Sequence, residues 1–96
     1  MKVLLVCAAG MSTSILMKKL VKYADEQGID FDIAAVGVTS FREVCDEYDC
    51  ILLGPQISYH KDNVAEASGK PTAVIPPADY GVGNCANIFK LINSLI

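Results

Sequence analysis

The apolar residues of this 96-residue chain fall into four short runs, separated by longer segments of mixed polarity. The runs are rich in Val, Ile and Leu and are mostly continuous rather than alternating. Continuous runs of this length are typical of strands that are buried on both faces of a parallel sheet. We therefore predict four strands, at Val3–Val6, Phe31–Val36, Cys50–Leu53 and Thr72–Ile75.

Helical patterns occupy the segments between these runs. From Ser12 to Gln27 the apolar residues recur on one helical face, and Gly28 follows where a helix would end. The sequence Ser40-Phe41-Arg42-Glu43 fits a capping box that would open a short second helix. Two further helices are predicted at 58–68 and 84–96.

The resulting order is βαβαβαβα, which predicts an α/β fold. Right-handed crossovers would place helices on both faces of a four-stranded parallel sheet. The length suits one domain over residues 1–96. Binding sites of such sheets lie beyond the carboxyl ends of the strands, near the point where strand order reverses. The segments at that edge are 7–14, 37–40, 54–58 and 76–83.

Composition and charge narrow the classes of function. The eight Lys and Arg residues are scattered and the net charge is -3, so we expect no nucleic-acid partner and no polybasic membrane patch. The apolar start of the chain is too short for a signal-peptide core or a membrane span. We expect a cytoplasmic protein that does not itself insert into the membrane.

The four cysteines (Cys7, Cys45, Cys50 and Cys85) form no CxxC pair, and His60 is the only histidine. This spacing favours neither a zinc site nor a disulfide framework, and we predict reduced thiols, no metal and no cofactor. For Cys45 and Cys50 we predict packing roles. Cys85 lies near the start of the last predicted helix, which favours a somewhat acidic thiol, whereas its small-residue context favours a packing role.

The segment from Cys7 to Ser14 carries the strongest chemical signal. Cys7 ends the first strand; small residues and a glycine follow, and three hydroxyl residues then lead into a helix. A curled loop that runs into a helix N-terminus directs several N–H groups at one point and binds phosphate well. The loop residues are Ala8, Ala9, Gly10, Met11, Ser12, Thr13 and Ser14.

A thiol held in such a loop is expected to be acidic and therefore nucleophilic at neutral pH. The N–H donors would then stabilise the charge on a transferring phosphoryl group. Each feature has an ordinary explanation, because a cysteine at a strand end is usually core packing and hydroxyls before a helix are usually caps. The combination favours phosphate chemistry at Cys7.

The opening KVLLVCAAGMSTSILMKKL resembles the enzyme IIB component of the phosphoenolpyruvate-dependent sugar phosphotransferase system, in its lactose/cellobiose/chitobiose family. The segments Gly54–Ile57 and Val74–Gly81 support the resemblance, which covers the whole chain. It implies that Cys7 is phosphorylated and that Ala8–Ser14 bind the phosphate. The donor would be a phosphohistidine on the cognate IIA protein. The acceptor would be a sugar, often a β-linked disaccharide, bound to the membrane component IIC.

The loop of that family also resembles the Cys-x5-Arg-Ser/Thr loop of low-molecular-weight protein tyrosine phosphatases, which implies their fold. Thr13 stands where those phosphatases have Arg. Arg clamps the phosphoryl group with two hydrogen bonds and Thr cannot, so the exchange favours a carrier whose phosphocysteine survives. Asp79-Tyr80 lies in the late loop in which those phosphatases place their acid.

Two other functions remain open at this stage. A free-standing phosphatase-like or arsenate-reductase-like enzyme is supported by Cys7 and Asp79 and opposed by Thr13. A non-enzymatic sensor of the same fold is the third alternative. Gln56, Asp79 and Tyr80, in the strand-end loops, are candidate neighbours of the phosphate or of a partner.

Overall fold

The computed structural model describes residues 1–7 and 14–96 in full, together with the backbone of Thr13. The strands are β1 (Lys2–Cys7), β2 (Asp32–Gly37), β3 (Cys50–Leu53) and β4 (Thr72–Val74). The helices are α1 (Thr13–Gln27), α2 (Lys61–Ser68), α3 (Pro77–Val82) and α4 (Cys85–Leu95). Three 3-10 segments lie at Phe41–Glu43, Cys45–Glu47 and Pro55–His60.

All four strands pair in parallel, in the order β2-β1-β3-β4. The predicted α/β fold with a four-stranded parallel sheet is therefore confirmed. β4 is one residue shorter than predicted, although the N–H of Ile75 still donates to the carbonyl of Leu53 at 2.9 Å. Strand order reverses between β1 and β3, so this pair forms the switch point at which α/β sheets bind ligands.

Alternation along β1 divides the core into two layers. Val3 and Leu5 pack against apolar residues of α1 and α4, including Leu20 and Ile88. Leu4 and Val6 face the other way, toward residues such as Phe41 and Val64. All residues of the central strand β3 are buried, as expected of a strand covered on both faces. The prediction of helices on both faces is thus confirmed.

The end of α1 follows the predicted signal, and the start of α4 has a side-chain cap. Gly28 has a positive φ of +70° and ends α1, where its missing Cβ avoids left-handed strain. The side chain of Asn84 accepts a hydrogen bond from the N–H of Asn87 at 3.2 Å and caps α4. Of the helices in the described part of the chain, none has the length and apolarity needed to cross a membrane.

The predicted helix at Ser40 is wrong. The segment forms two 3-10 turns, broken at Val44, and the Ser40 side chain makes no capping bond. A capping box needs a free N–H on its first residue, but the N–H of Ser40 already donates to Gly37 O at 3.0 Å. The two turns still bury Phe41 and Cys45, so the apolar spacing was satisfied without an α-helix.

Two further boundaries differ from the sequence prediction. The segment 76–83, expected to be a loop, contains α3, which begins at Pro77 and ends at Val82; Gly83 follows in the left-handed region with φ +65°. Proline at the first helical position and glycine after the last are helix signals in themselves. In addition, α2 begins at Lys61 rather than Ser58, because a 3-10 segment precedes it.

Candidate functional site

Cys7 ends the central strand β1 at the carboxyl edge of the sheet, with 4% of its surface exposed. Side chains alternate along a strand, so Cys7 shares the face of Val3 and Leu5, which α1 covers. The backbone of Cys7 lies between two neighbours, since it pairs with Gly37 of β2 while Val6 pairs with Leu53 of β3. The predicted nucleophile thus lies at the switch point of the sheet.

The loops after the neighbouring strands bond directly to the end of β1. The N–H of Val38 donates to Cys7 O at 3.0 Å, and the N–H of Gly54 donates to Val6 O at 3.1 Å. The thiol of Cys7 donates to the carbonyl of Val36, with Sγ and O 3.5 Å apart. The carboxyl ends of β2 and β3 therefore both bond to the end of β1, at the edge of the sheet where the sequence predicted the site.

The phosphate-binding residues predicted between Cys7 and the helix lie largely outside the described residues. This applies to Ala8, Ala9, Gly10, Met11 and Ser12. The backbone of Thr13 begins α1, and Ser14 lies exposed in its first turn. The role of the loop in binding phosphate therefore stays a prediction. In the sequence this loop joins Cys7, at the end of β1, to the N-terminus of α1.

Gln56 and Tyr80 meet at the carboxyl end of β3. A Cβ atom on Gly54 would lie 2.8 Å from Gln56 Oε1 and 3.8 Å from Tyr80 Cε2. A larger residue here would have to displace the flexible end of Gln56, and the backbone of Gly54 (φ -64°, ψ 148°) is one that any residue adopts. Because the N–H of Gly54 bonds to Val6, both side chains lie near the strand end that carries Cys7.

Asp79 precedes Tyr80 on α3 but is bound to the start of α4. Its Oδ1 accepts a hydrogen bond from Nδ2 of Asn87 at 3.1 Å, and its backbone carbonyl accepts from the N–H of Asn84 at 2.9 Å. Sequence reasoning missed Asn87, because the contact joins two helices and has no local signal.

A groove of about 250 Å³ separates the first turns of α1 from α3. Ile15, Leu16 and Lys19 line one side, and Tyr80, Gly81 and Gly83 line the other. Ile15 is 66% exposed, which leaves apolar surface close to the segment that follows Cys7.

The other cysteines are free and have packing environments. Burial, together with the nearby charge of Asp49, raises the pKa of Cys50 from 9.0 to about 11. The expectation of an acidic Cys85 is wrong, because burial raises the pKa of its thiol despite the neighbouring cation of Lys19. Cys45 donates to the carbonyl of Arg42 and lies in the core layer opposite that of Cys50.

Comparison with known proteins assigns this arrangement to a family. Residues 2–91 match the family described as PTS system, lactose/cellobiose-specific IIB subunit. The chain is 41% identical over 86 residues to the galactose-specific EIIB component of Lactococcus lactis subsp. cremoris, covering 81% of this chain and 80% of that protein.

A solved structure and a longer protein extend the comparison. The cellobiose-specific phosphotransferase IIB component of Borrelia burgdorferi is 38% identical, with a TM-score of 0.80 over 99% of this chain and 91% of that one. The chain is also 37% identical over 65 residues to the lactose-specific EIICB component of Streptococcus mutans. The matched segment covers 67% of this chain and 11% of that protein. The chain therefore belongs to the lactose/cellobiose-specific IIB subunits of the phosphotransferase system and is a phosphoryl carrier of that system.

Proposed function

We propose that Cys7 carries the phosphoryl group, accepting it from a phosphohistidine on the cognate IIA protein and passing it to a sugar bound by the membrane component IIC. The observation that carries this proposal is the position of Cys7. It is the last residue of the central strand, lies at the switch point and faces the side of the sheet that α1 covers. Cys7 is also the cysteine closest in sequence to the N-terminus of α1.

The two transfers balance without a cofactor. In the first, the S–P bond forms as the N–P bond of the phosphohistidine breaks, and the thiol proton ends on the departing imidazole. In the second, a sugar hydroxyl attacks phosphorus, the S–P bond breaks, and the hydroxyl proton returns to the sulfur. The loop N–H groups of Ala8–Ser14 and the N-terminus of α1 would stabilise the phosphoryl charge in both steps.

The sugar we propose is a β-linked disaccharide, bound by IIC rather than by this chain. The three relatives compared above are named for galactose, cellobiose and lactose, although they have similar identity to this chain. Such a spread favours sugar recognition on another component. IIB components work with IIA and IIC, and we propose that this chain acts in the cytoplasm and reaches the membrane only through IIC.

A labelled phosphate relay tests the proposal. The protein is incubated with labelled phosphoenolpyruvate, the general phosphotransferase proteins and the cognate IIA, and is then digested to locate the label. We expect the label on Cys7, its loss in Cys7→Ala and its retention in the control Cys45→Ala. A label elsewhere in the chain, or a label that persists in Cys7→Ala, would overturn the proposal.

The alternative function is a free-standing phosphatase-like or arsenate-reductase-like enzyme. Asp79 supports it, because it directly precedes Tyr80, whose ring approaches Gly54 at the carboxyl end of β3. Thr13 opposes it, because the residue in that position lacks the two-bond clamp of Arg. Turnover of an aryl phosphate or reduction of arsenate without IIA and IIC, abolished by Asp79→Asn, would favour the enzyme over the carrier.

A further inference from the structure

The two edges of the sheet differ in how their sequences protect them from pairing with another chain. The strand order makes β2 and β4 the edge strands. β4 has three residues, with Pro71 directly before it and Pro76 and Pro77 shortly after, and both short length and proline discourage pairing at an edge. β2 has six residues and contains neither proline nor lysine; its one charged residue is Asp32, at its start. The β2 edge therefore lacks the protection that the β4 edge has.

The outer side of β2 carries backbone groups that can accept another strand. The N–H of Val38, directly after β2, donates to Cys7 O at 3.0 Å, so the even-numbered residues direct their backbone groups at β1. Backbone groups alternate in direction along a strand, and those of the odd-numbered residues therefore point outward. In the described part of the chain, the N–H groups of Ile33, Ala35 and Gly37 have no hydrogen-bond partner. These three donors define the free edge of β2.

An apolar groove lies beside the free edge of β2. It has a volume of about 460 Å³ and lies between α1 and β2. Met17, Val21 and Ile33 give it an apolar lining, and Val21 is 41% exposed. A strand added beside β2 would direct every second side chain toward the α1 side of the sheet, where this groove has room for an apolar one. Hydrogen bonds at the edge and apolar contact in the groove would thus act on the same added strand.

The charges around this groove indicate which strand would fit. Lys18 and Lys22 line it, and both are exposed. They lie four residues apart on α1, a spacing at which like charges repel. Asp25 is the one acidic residue among the described residues that line the groove. Acidic side chains on the added strand would pair with the two lysines and relieve their repulsion.

A second copy of this chain fits the same surface poorly. Pairing of β2 with its own copy about a two-fold axis would bring the two grooves together on one face of a joined sheet. Lys18 and Lys22 of both copies would then lie at one interface, and like charges brought together at an interface oppose association. The charge pattern therefore favours a different, acidic chain.

We propose that the free edge of β2 is a docking site for an extended segment of a partner protein, in which an apolar residue has an acidic residue two positions away on either side. The segment adds to the sheet as a fifth strand, and its carbonyl groups accept hydrogen bonds from the free edge. Side chains two positions apart lie on the same face of a strand, so the apolar one enters the groove and its acidic neighbours reach the lysines. The inference is independent of the phosphoryl chemistry at Cys7.

The test uses the synthetic peptide Thr-Glu-Thr-Val-Thr-Glu-Thr, with both ends blocked, and a control peptide in which Lys replaces both Glu. Titration followed by NMR gives the two affinities, and amide hydrogen exchange locates the bound peptide. We expect the Glu peptide to slow exchange at Ile33 and Ala35. The N–H groups of Ala34 and Val36 already face β1, so their exchange should change little. The Lys peptide should bind at least about tenfold more weakly.

Variants of the protein separate charge from backbone pairing. Lys18→Glu/Lys22→Glu should reverse the preference between the two peptides, and because both lysines are exposed the fold should be retained. The matched control Lys90→Glu changes an exposed lysine on α4 and should leave the preference as it was. Ala35→Pro removes one donor of the free edge and should weaken binding of the Glu peptide, since proline is accepted on an edge strand where its nitrogen faces outward.

Four results would overturn the inference. The first is equal affinity for the two peptides in the original protein, and the second is a preference that does not change in Lys18→Glu/Lys22→Glu. The third is binding without slower exchange at Ile33 and Ala35, or no binding at millimolar peptide. The fourth is protection of these two amides in the protein alone that increases with protein concentration, which would mean that a second copy occupies the edge.

Discussion

Gly83 follows the last residue of α3 and connects it to α4. Its replacement by Ala should reduce the free energy of unfolding in two ways, through backbone strain and through a steric contact. Its φ of +65° lies in the left-handed region, and a Cβ atom there would lie 2.8 Å from Lys19 Cδ and 3.1 Å from Lys19 Nζ. Gly69 provides a matched control, because its φ is +68° but a Cβ would meet nothing within 4 Å. Gly83→Ala therefore combines backbone strain with a steric contact, whereas Gly69→Ala has the strain alone.

The magnitudes follow from these two terms. A left-handed Ala costs roughly 1–2 kcal/mol, and the loss of glycine freedom in the unfolded chain returns about 0.4–1 kcal/mol. We therefore expect Gly69→Ala to reduce the free energy of unfolding by about 1 kcal/mol. Gly83→Ala must also displace the outer atoms of the exposed Lys19 side chain, which restricts this flexible side chain at a further cost of about 0.5 kcal/mol and brings the expected loss to about 1.5 kcal/mol.

Urea denaturation of both variants, in the original and in a Lys19→Ala background, measures this difference. Lys19→Ala removes the atoms that the new Cβ would meet, so the gap between the two glycine variants should close there. Equal losses for Gly83→Ala and Gly69→Ala in the original background would refute the reasoning. So would a gap that persists unchanged when Lys19 is truncated.

Three further predictions concern the core, a helix cap and pH. Phe89 is 3% exposed and packs against two aromatic rings. In the same denaturation assay, Phe89→Ala should therefore lower the free energy of unfolding by about 3–5 kcal/mol. The control Lys90→Ala, at an exposed residue, should change it by less than about 0.5 kcal/mol. Asn84→Ala removes the α4 cap and should cost about 0.5–2 kcal/mol, with Asn84→Gly restoring most of the loss. Burial and the charge of Asp49 raise the pKa of Cys50 from 9.0 to about 11, so the folded state holds the thiol proton more tightly than the unfolded state. This stabilisation is complete below pH 9.0 and is lost as pH rises toward 11. The free energy of unfolding should fall by on the order of 2 kcal/mol over that range. Denaturation across that pH range should show a shallower decline in Cys50→Ala; an identical slope would contradict the assignment.

The strands and the candidate nucleophile could be predicted because their signals are local. A continuous apolar run indicates a strand that is buried on both faces, and the predicted runs Val3–Val6 of β1 and Cys50–Leu53 of β3 are buried throughout. Cys7 was found because it follows such a run and precedes small and hydroxyl residues at a helix start. Gly28 acts through its own backbone conformation, and Asn84 acts through a side-chain hydrogen bond to a residue three positions later.

The errors arose where a local pattern competed with a contact outside the segment. Ser40 fitted a capping box, but its N–H was taken by Gly37 O, and two 3-10 turns buried the same apolar side chains. Cys85 begins a helix, which predicts an acidic thiol, yet burial of that thiol outweighs the effect on its pKa. In both cases the deciding term depends on what packs nearby.

The order of residues alone was enough for the parallel sheet, for the cysteine at its carboxyl edge and for the resemblance that implied a phosphoryl carrier. The strand order, the meeting of Gln56 and Tyr80 beside Gly54, and the bond from Asn87 to Asp79 came only with the packed molecule. Periodicity and capping act over a few residues, so they can be recognised within one segment. Contacts between segments depend on which faces are buried together. These faces are decided by the strand order, in which β1 pairs with β2 on one side and with β3 on the other.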